Sequence, residues 1–203
     1  MFHLIKMTFV IITCFIFFFA FGEEQYEKII FIRHGEKLKD SSLGQLNCQG
    51  LNRALQLPKI LTEKFGNPDY IFAPNPAYHE GKEKFKYSYV RPLATIEPTA
   101  IKLEMPVNTQ FGYNEVERFV TELINPKYEK KLIFIAWEHK RIVDIAKKIF
   151  LKDKNNKENY IPNWEDNDFD SIYIFTIKKL KNDYKIEFKK DLQGLENLST
   201  QCP

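Results

Sequence analysis

The 203-residue sequence has little cysteine, little glycine and almost no excess of either charge. It contains 3 Cys, 8 Gly and 10 Pro without a repeat or a long single-residue tract, which excludes collagen-like, solenoid and disordered chains. Its 30 basic and 27 acidic residues leave a formal net charge of +3. Such a small excess does not attract nucleic acid or anionic membranes through the overall field. Glycine-rich dinucleotide turns and P-loops are missing as well, so we predict neither a nucleic-acid partner nor a nucleotide cofactor.

The sequence does contain enough apolar material for one packed domain. Hydrophobic residues make up 44% of the chain and aromatic residues 15%. A chain of this length is too short for two ordinary domains joined by a linker. We therefore expect a single domain over residues 23–203, preceded by a segment of a different kind.

Residues 1–22 have the pattern of a secretory signal peptide. Lys6 is the only charge before Glu23, and the apolar run that follows it ends in Ala20-Phe21-Gly22, where small residues suit a signal peptidase. The run is shorter than the ~20 residues that span a bilayer comfortably. We predict cleavage before Glu23 and export to the periplasm or the medium. A retained leader that anchors the protein to a membrane is the alternative.

Cleavage would remove Cys14 and leave Cys48 and Cys202 as the only cysteines. In an oxidising compartment two remaining cysteines favour a disulfide. This bond would tie the C-terminal tail, residues 195–203, to the body of the domain. Two unrelated thiols are the alternative.

Apolar runs and amphipathic spacing alternate along the chain. The runs predict strands at residues 28–32, 70–73, 107–110, 132–137, 171–177 and 184–188. The spacing predicts helices at residues 50–65, 91–103, 114–124 and 141–150. Strands that alternate with helices predict an α/β fold, with a mostly parallel sheet covered by helices on both faces.

Two of the most apolar predicted strands end in histidine. Arg33 and His34 follow one of them, and Glu138 and His139 follow another. Ligands of open α/β sheets bind beyond the carboxyl ends of the strands, so neighbouring strands would bring both imidazoles to one crevice. Arg33, together with Arg91 at the start of a predicted helix, would make that crevice an anion pocket.

Four stretches resemble the histidine phosphatase superfamily, the group that includes phosphoglycerate mutases and acid phosphatases. Residues 31–36, Phe-Ile-Arg-His-Gly-Glu, resemble its Arg-His-Gly motif. Residues 50–54 resemble the start of its first helix, residues 91–98 its second-arginine segment and residues 136–139 its second-histidine segment. The resemblance covers most of residues 28–149. It implies a three-layer, phosphoglycerate mutase-like fold and a small phosphorylated substrate.

The resemblance also implies a role for each residue. His34 would attack phosphorus to form a phosphohistidine, for which its ring must be neutral. Arg33, Arg91 and His139 would bind the phosphoryl oxygens, and the two arginines would also disfavour a charged His34. Because these side chains supply the positive charge, the implied reaction needs no metal and no other cofactor.

The leaving alkoxide needs a proton from a carboxylic acid. Glu138, beside His139, is the first candidate, and Glu115 is the second. Glu104 and Glu117 lie in the same segment as Glu115. Neighbours in an extended strand point to opposite sides, so residues 138 and 139 can both face substrate only if the chain turns there.

Three functions are compatible with these residues. The first is an exported phosphatase, the second a mutase that returns the phosphoryl group to a product hydroxyl, and the third a catalytically silent phosphate-binding protein. The acidic residues Asp166, Asp168 and Asp170 alternate like a calcium loop but lack its glycine and its distal glutamate, so a metal site is not predicted there.

Overall fold

A computed structural model of the chain describes residues 26–38, 43–77, 79–80, 87–155 and 160–203. The predicted signal peptide lies outside the described residues. Within the described part, no helix combines the length and the apolar character that a membrane span requires.

Eight strands and four helices make up the described fold. The strands are β1 (Glu27–Arg33), β2 (Tyr70–Phe72), β3 (His79–Glu80), β4 (Tyr87–Ser88), β5 (Val107–Asn108), β6 (Leu132–Trp137), β7 (Ser171–Lys179) and β8 (Tyr184–Leu192). The helices are α1 (Cys48–Phe65), α2 (Arg91–Lys102), α3 (Val116–Leu123) and α4 (His139–Phe150). All six predicted strands and all four predicted helices are present; the strand at residues 132–137 has its predicted ends, and each of the other elements differs from its predicted range at one end or both.

Six strands form one sheet in the order β5-β2-β6-β1-β7-β8. Strands β5, β2, β6 and β1 run parallel, whereas β7 is antiparallel to both of its neighbours. Only a few residues separate β7 from β8, and such a short connection can join only antiparallel strands. The sheet is therefore mostly parallel, as predicted. Strands β3 and β4 pair separately.

Helices cover both faces of the sheet. Ile30 of β1 belongs to the same buried cluster as Leu57 of α1 and Ile96 of α2. The next residue, Phe31, belongs to the cluster that contains the buried side chains of α3 and α4. Successive strand residues alternate between the two clusters because side chains of a strand alternate between its faces. This confirms the predicted arrangement of three layers.

The boundary difference that affects the site concerns α4, which begins at His139, two residues earlier than expected. Glu138 is its N-cap, with its backbone still extended and its carboxylate accepting a hydrogen bond from the Arg141 backbone N–H. A carboxylate at this position satisfies an otherwise unpaired N–H group of the first turn. The chain therefore turns between the two candidate site residues.

The predicted disulfide between Cys48 and Cys202 is present, which confirms that expectation. It joins the first residue of α1 to the C-terminal tail. Asn52 of α1 donates hydrogen bonds to the carbonyl oxygens of Ser199 and Gln201, at 2.8 and 2.7 Å. Leu195 of the tail packs in the cluster beneath α1 and α2. A disulfide of this kind points to an oxidising compartment.

Candidate active site

The two predicted histidines follow neighbouring strands. Strands β1 and β6 pair in parallel so that Arg33 lies opposite Trp137. The backbone N–H of His34 donates to the Trp137 carbonyl oxygen at 3.0 Å. His34 and His139 therefore both lie at the carboxyl ends of neighbouring parallel strands, where ligands of α/β sheets bind.

The His34 side chain is only 2% exposed and is held in one tautomer. Its Nδ1 lies 2.8 Å from the carbonyl oxygen of Gly35. Because a carbonyl oxygen can only accept, Nδ1 carries the proton and Nε2 keeps a lone pair in the neutral ring. Burial, and then the charges of Arg33 and Arg91, lower the pKa of His34 to about 3. The imidazole is thus neutral near pH 7.

Arg33 is buried against the loop that leads into β7. Its guanidinium lies 3.9 Å from the centre of the Phe169 ring. Its Nη1 donates to the backbone carbonyl oxygens of Asp166 and Asp168 at 2.8 and 2.9 Å. The Phe169 ring also lies 6.2 Å from the His34 ring. Phe169 therefore contacts both residues of the Arg33-His34 pair.

Arg91 is the first residue of α2 and is also buried. Its guanidinium lies 4.9 Å from the centre of the Tyr89 ring, and the Tyr89 ring lies 6.1 Å from that of His34. Thr95, one turn into α2, accepts the Gly35 N–H at 2.8 Å and donates to the Arg91 carbonyl oxygen at 2.8 Å. The start of α2 is thereby bonded to the loop that carries His34.

His139 lies between two carboxylates. Its Nε2 is 2.7 Å from Oδ1 of Asp166, and its Nδ1 is 2.7 Å from Oε1 of Glu138. The second contact is not aligned as a hydrogen bond. Burial alone would raise the pKa of Glu138, but its contacts with His139 and with the backbone N–H of Arg141 outweigh burial and hold the pKa at about 2.

A cleft of about 490 Å³ opens at this edge of the sheet. The residues that line it are mostly charged: Arg33, Lys37, Tyr113, Glu138, His139, Lys140, Arg141 and Asp166. His34 and Arg91 do not line the cleft. The charges of Arg33 and Arg91 nevertheless lower the pKa of His34, and the charge of Glu138 raises it. The structure thus brings Arg33, Glu138 and His139 into the cleft. His34 and Arg91 are both buried.

Sequence reasoning missed several residues of this region. Lys140 and Arg141 lie in the first turn of α4, which begins at His139, and both line the cleft. The predicted helix begins only at residue 141, so the prediction does not place these two residues in a first turn beside His139. The sequence pattern suggests for Asp166 only a place in a calcium-like loop, yet Asp166 contacts His139. No signal in the sequence pointed to Tyr89, whose ring lies near both the Arg91 guanidinium and the His34 ring.

The other carboxylates have partners of their own. Glu115 occupies the N-cap position of α3, accepts the backbone N–H of Gly112 at 2.8 Å and pairs with Arg118. Glu117 pairs with Lys148. Asp168 and Asp170 accept hydrogen bonds from backbone N–H groups, including that of Ser171 to Asp168 and that of Leu195 to Asp170. Among the described residues, no three His, Cys, Asp or Glu side chains are grouped so as to hold a metal ion.

No protein-family model and no curated protein matches the sequence. Solved structures do match the fold. The protein histidine phosphatase SixA, complexed with tungstate, superposes with a TM-score of 0.54 at 10% identity, covering 82% of this chain and 97% of its own. A structure described as mycobacterial hydrolase 2 gives a TM-score of 0.52 at 9% identity, covering 81% and 89%.

The third comparison is a mycobacterial glucosyl-3-phosphoglycerate phosphatase with inorganic phosphate. Its TM-score is 0.50 at 11% identity, and the match covers 81% of this chain and 95% of that one. At such low identities the likeness establishes the fold alone. The structural neighbours are members of the histidine phosphatase superfamily, and the fold of this chain is theirs.

Proposed function

We propose that this protein is a phosphatase that hydrolyses small phosphomonoesters through a phosphohistidine on His34. The observation that carries the proposal is the state of this imidazole, which is buried and neutral with its proton on Nδ1. Its Nε2 lone pair is then available to attack phosphorus, which divides hydrolysis into two easier displacements. The shared fold and the four sequence motifs support the same reaction.

Arg33, Arg91 and His139 are proposed to bind the phosphoryl oxygens. Guanidinium groups suit this role because they donate two hydrogen bonds in one plane and keep their charge. In this structure Arg33 donates to backbone carbonyls and His139 contacts Asp166. Phosphoryl oxygens would replace these partners, and the positive groups would stabilise the charge that spreads over them in the transition state.

Glu138 is the proposed proton donor. It lines the cleft beside His139, whereas Glu115 lies at the N-cap position of α3 and is not among the lining residues. As His34 Nε2 bonds to phosphorus, the P–O ester bond breaks and the leaving oxygen takes the proton of Glu138. Water then attacks the phosphohistidine and returns a proton to Glu138, releasing phosphate and His34. A phosphoryl dianion beside Glu138 raises its pKa, and so promotes the protonated form.

The proposal is tested with purified protein and two classes of substrate, an aryl phosphate and an alkyl phosphate. We expect hydrolysis of both and an acid-labile phosphoenzyme when labelled substrate is quenched. His34→Ala, purified in parallel, should form no phosphoenzyme, and His139→Ala should form it more slowly by orders of magnitude. A wild-type protein that binds phosphate but hydrolyses neither ester is the silent binding protein. Transfer of the label to an acceptor hydroxyl instead of water identifies a mutase.

The proton donor is tested with Glu138→Gln, and Asp166→Asn serves as its matched control in the same cleft. Aryl oxide leaves without protonation, so Glu138→Gln should retain most aryl phosphatase activity and lose alkyl phosphatase activity. If only Asp166→Asn shows this selective loss, Asp166 is the donor and the role proposed for Glu138 is wrong.

We also infer that the protein works outside the cytoplasm, in the periplasm or as a secreted protein. The Cys48–Cys202 disulfide supports this location, since such bonds persist in oxidising compartments. The pattern of residues 1–22 supports it independently.

A further inference from the structure

Arg53 is a buried cation outside the cleft, and all of its donors are used. It lies on α1 and is 3% exposed. An arginine carries five N–H groups. Two of them donate to the Glu36 carboxylate, at 3.0 Å from Nε and 2.8 Å from Nη2. The others donate to Asp170, Gln193 and the carbonyl oxygen of Leu195, at 3.2, 2.8 and 2.9 Å.

The first arm of this network reaches the loop that carries His34. Glu36 is two residues after His34, and its carboxylate receives both N–H groups on one edge of the guanidinium. The Glu36 carbonyl oxygen accepts the Asn47 N–H at 2.9 Å, immediately before α1. Gly35 and Gly50 pack backbone to backbone, since a Cβ on Gly35 would lie 2.8 Å from the Gly50 oxygen. The loop is therefore fastened to α1 by side chain and backbone together.

The second arm reaches the other side of the same pair of residues. Gln193, which accepts from Arg53, donates from Nε2 to the Phe169 carbonyl oxygen at 2.9 Å. Asp170, the next residue, also accepts from Arg53. The Phe169 ring lies 3.9 Å from the Arg33 guanidinium and 6.2 Å from the His34 ring. Through this arm Arg53 is connected to Phe169, whose ring packs against Arg33 and His34.

We propose that Arg53 is a positioning residue for Arg33 and His34, which it holds from two sides through Glu36 and through the Asp170–Phe169 segment. The inference rests on the proposed function, because it assigns Arg33 and His34 to phosphoryl binding and attack. Arg53 does not touch the reacting atoms. Its planar fork fixes the distance and angle between α1, the His34 loop and the segment before β7, which a point charge such as lysine does not do. Small misplacements of a nucleophile are costly to its rate.

The experiment compares wild type, Arg53→Lys and a destabilised control, Ile177→Ala. Ile177 is buried at the opposite end of the sheet, where it pairs with the first residue of β1. The readouts are the dissociation constant for tungstate, kcat and KM for an aryl phosphate, and the NMR shift of the His34 Nδ1 proton. All are measured well below the unfolding temperature of each variant. We expect Arg53→Lys to weaken tungstate binding and lower kcat by roughly 10- to 100-fold, with a displaced His34 proton signal. The control should lose thermal stability and keep all four values.

Unchanged kcat, tungstate affinity and His34 signal in folded Arg53→Lys would overturn the proposal, and so would equal losses in Ile177→Ala. If Arg53→Lys does not fold, Gln193→Ala removes one acceptor of the second arm without leaving a buried charge unpaired. Its expected loss is smaller, a few-fold in the same direction, and unchanged values would again overturn the proposal. A wild type without phosphatase activity contradicts the proposed function instead, while tungstate binding and the His34 signal still test Arg53.

Discussion

Glu27 is the first residue of β1, and His34 directly follows its last residue. Burial shifts the pKa of each side chain in the direction that favours its neutral form. For the base this means a lower pKa, about 3 at His34, and for the acid a higher one, about 8 at Glu27. The cause is the same at both ends, because a buried site solvates a charge poorly. At His34 the result is a neutral imidazole beside the cleft. At Glu27, at the opposite end of the sheet, the result concerns stability.

We expect Glu27→Gln to remove a loss of stability that wild type suffers between about pH 4.5 and about pH 8. Burial raises the pKa of Glu27 from 4.5 to about 8, with Glu129 adding to the rise and Lys179 opposing it. Between these two values the folded state holds a proton that the unfolded state has lost. The free energy of unfolding therefore falls as the pH rises through this window, by up to a few kcal/mol. Glutamine has no proton to lose.

Urea unfolding at pH 5, 7 and 9 measures this difference. Wild type should lose stability relative to Glu27→Gln as the pH increases, and the difference should level off above about pH 8. Glu117→Gln, at an exposed carboxylate that pairs with Lys148, serves as the control. Parallel pH profiles for wild type and Glu27→Gln would contradict the expected burial effect.

At the scale of elements, helix α1 packs closely against the His34 loop because Gly50 has no side chain. A Cβ on Gly50 would lie 2.4 Å from the Glu36 carbonyl oxygen and 2.7 Å from the Glu36 nitrogen. Both atoms are backbone, so neither can move away as a flexible side chain could. Gly50 thus permits the close approach that lets Arg53, one turn later, reach Glu36.

We expect Gly50→Ala to destabilise the protein, although alanine is the better helix former by about 1 kcal/mol. The clash with Glu36 should outweigh that preference and cost roughly 1–3 kcal/mol net. Displacing the loop should also weaken tungstate binding. Thermal unfolding and tungstate titration measure both effects, and Gln49→Ala in the same turn is the control. An unfolding midpoint at or above that of wild type would show that the loop can retreat.

The start of α4 resolves a conflict in the sequence. Glu138 and His139 would point to opposite sides of a continuing strand, yet both line the cleft. The backbone of Glu138 is extended, with φ −81° and ψ 133°, and His139 is the first helical residue. The alternation of side chains ends where the strand ends, so neighbours at a strand-to-helix turn can face the same space. The carboxylate of Glu138 caps the helix and thereby stabilises this turn.

At the scale of the whole molecule, the disulfide closes a very long loop. Cys48 and Cys202 are 154 positions apart. We expect the double variant Cys48→Ser, Cys202→Ser to lose up to ~5 kcal/mol of unfolding free energy, because the unfolded chain gains the entropy that the closed loop denied it. Urea unfolding of the variant and of wild type, with and without reductant, measures the loss.

Reduced wild type should match the double variant, which provides the control for the serine substitutions. The hydrogen bonds from Asn52 to Ser199 and Gln201 and the packing of Leu195 remain in both. If reduction leaves the unfolding midpoint unchanged, those contacts alone hold the tail and the disulfide adds nothing to stability.

The helices and strands and the site residues at the strand ends were predictable from the sequence. The buried residues that hold these site residues in place were not. Strands β1 and β6 can be recognised in the sequence as continuous apolar runs, because both faces of a central strand are buried. Residues 33, 34, 138 and 139 then follow from the rule that sites lie beyond strand ends. Arg53 gives no such signal, since a charged residue on an amphipathic helix usually faces water. Its burial depends on Glu36, Asp170 and Gln193, which are distant along the chain.

The amino-acid pattern by itself determined the alternating strands and helices, the strand ends that carry Arg33, His34 and His139, and the two cysteines available to pair. These follow from local periodicity and from composition, which act over a few residues. The tertiary structure alone decided the neutral state of His34, the two carboxylates around His139 and the network of Arg53. Each of these depends on burial and on contacts between segments far apart in the chain, and no local pattern carries that information.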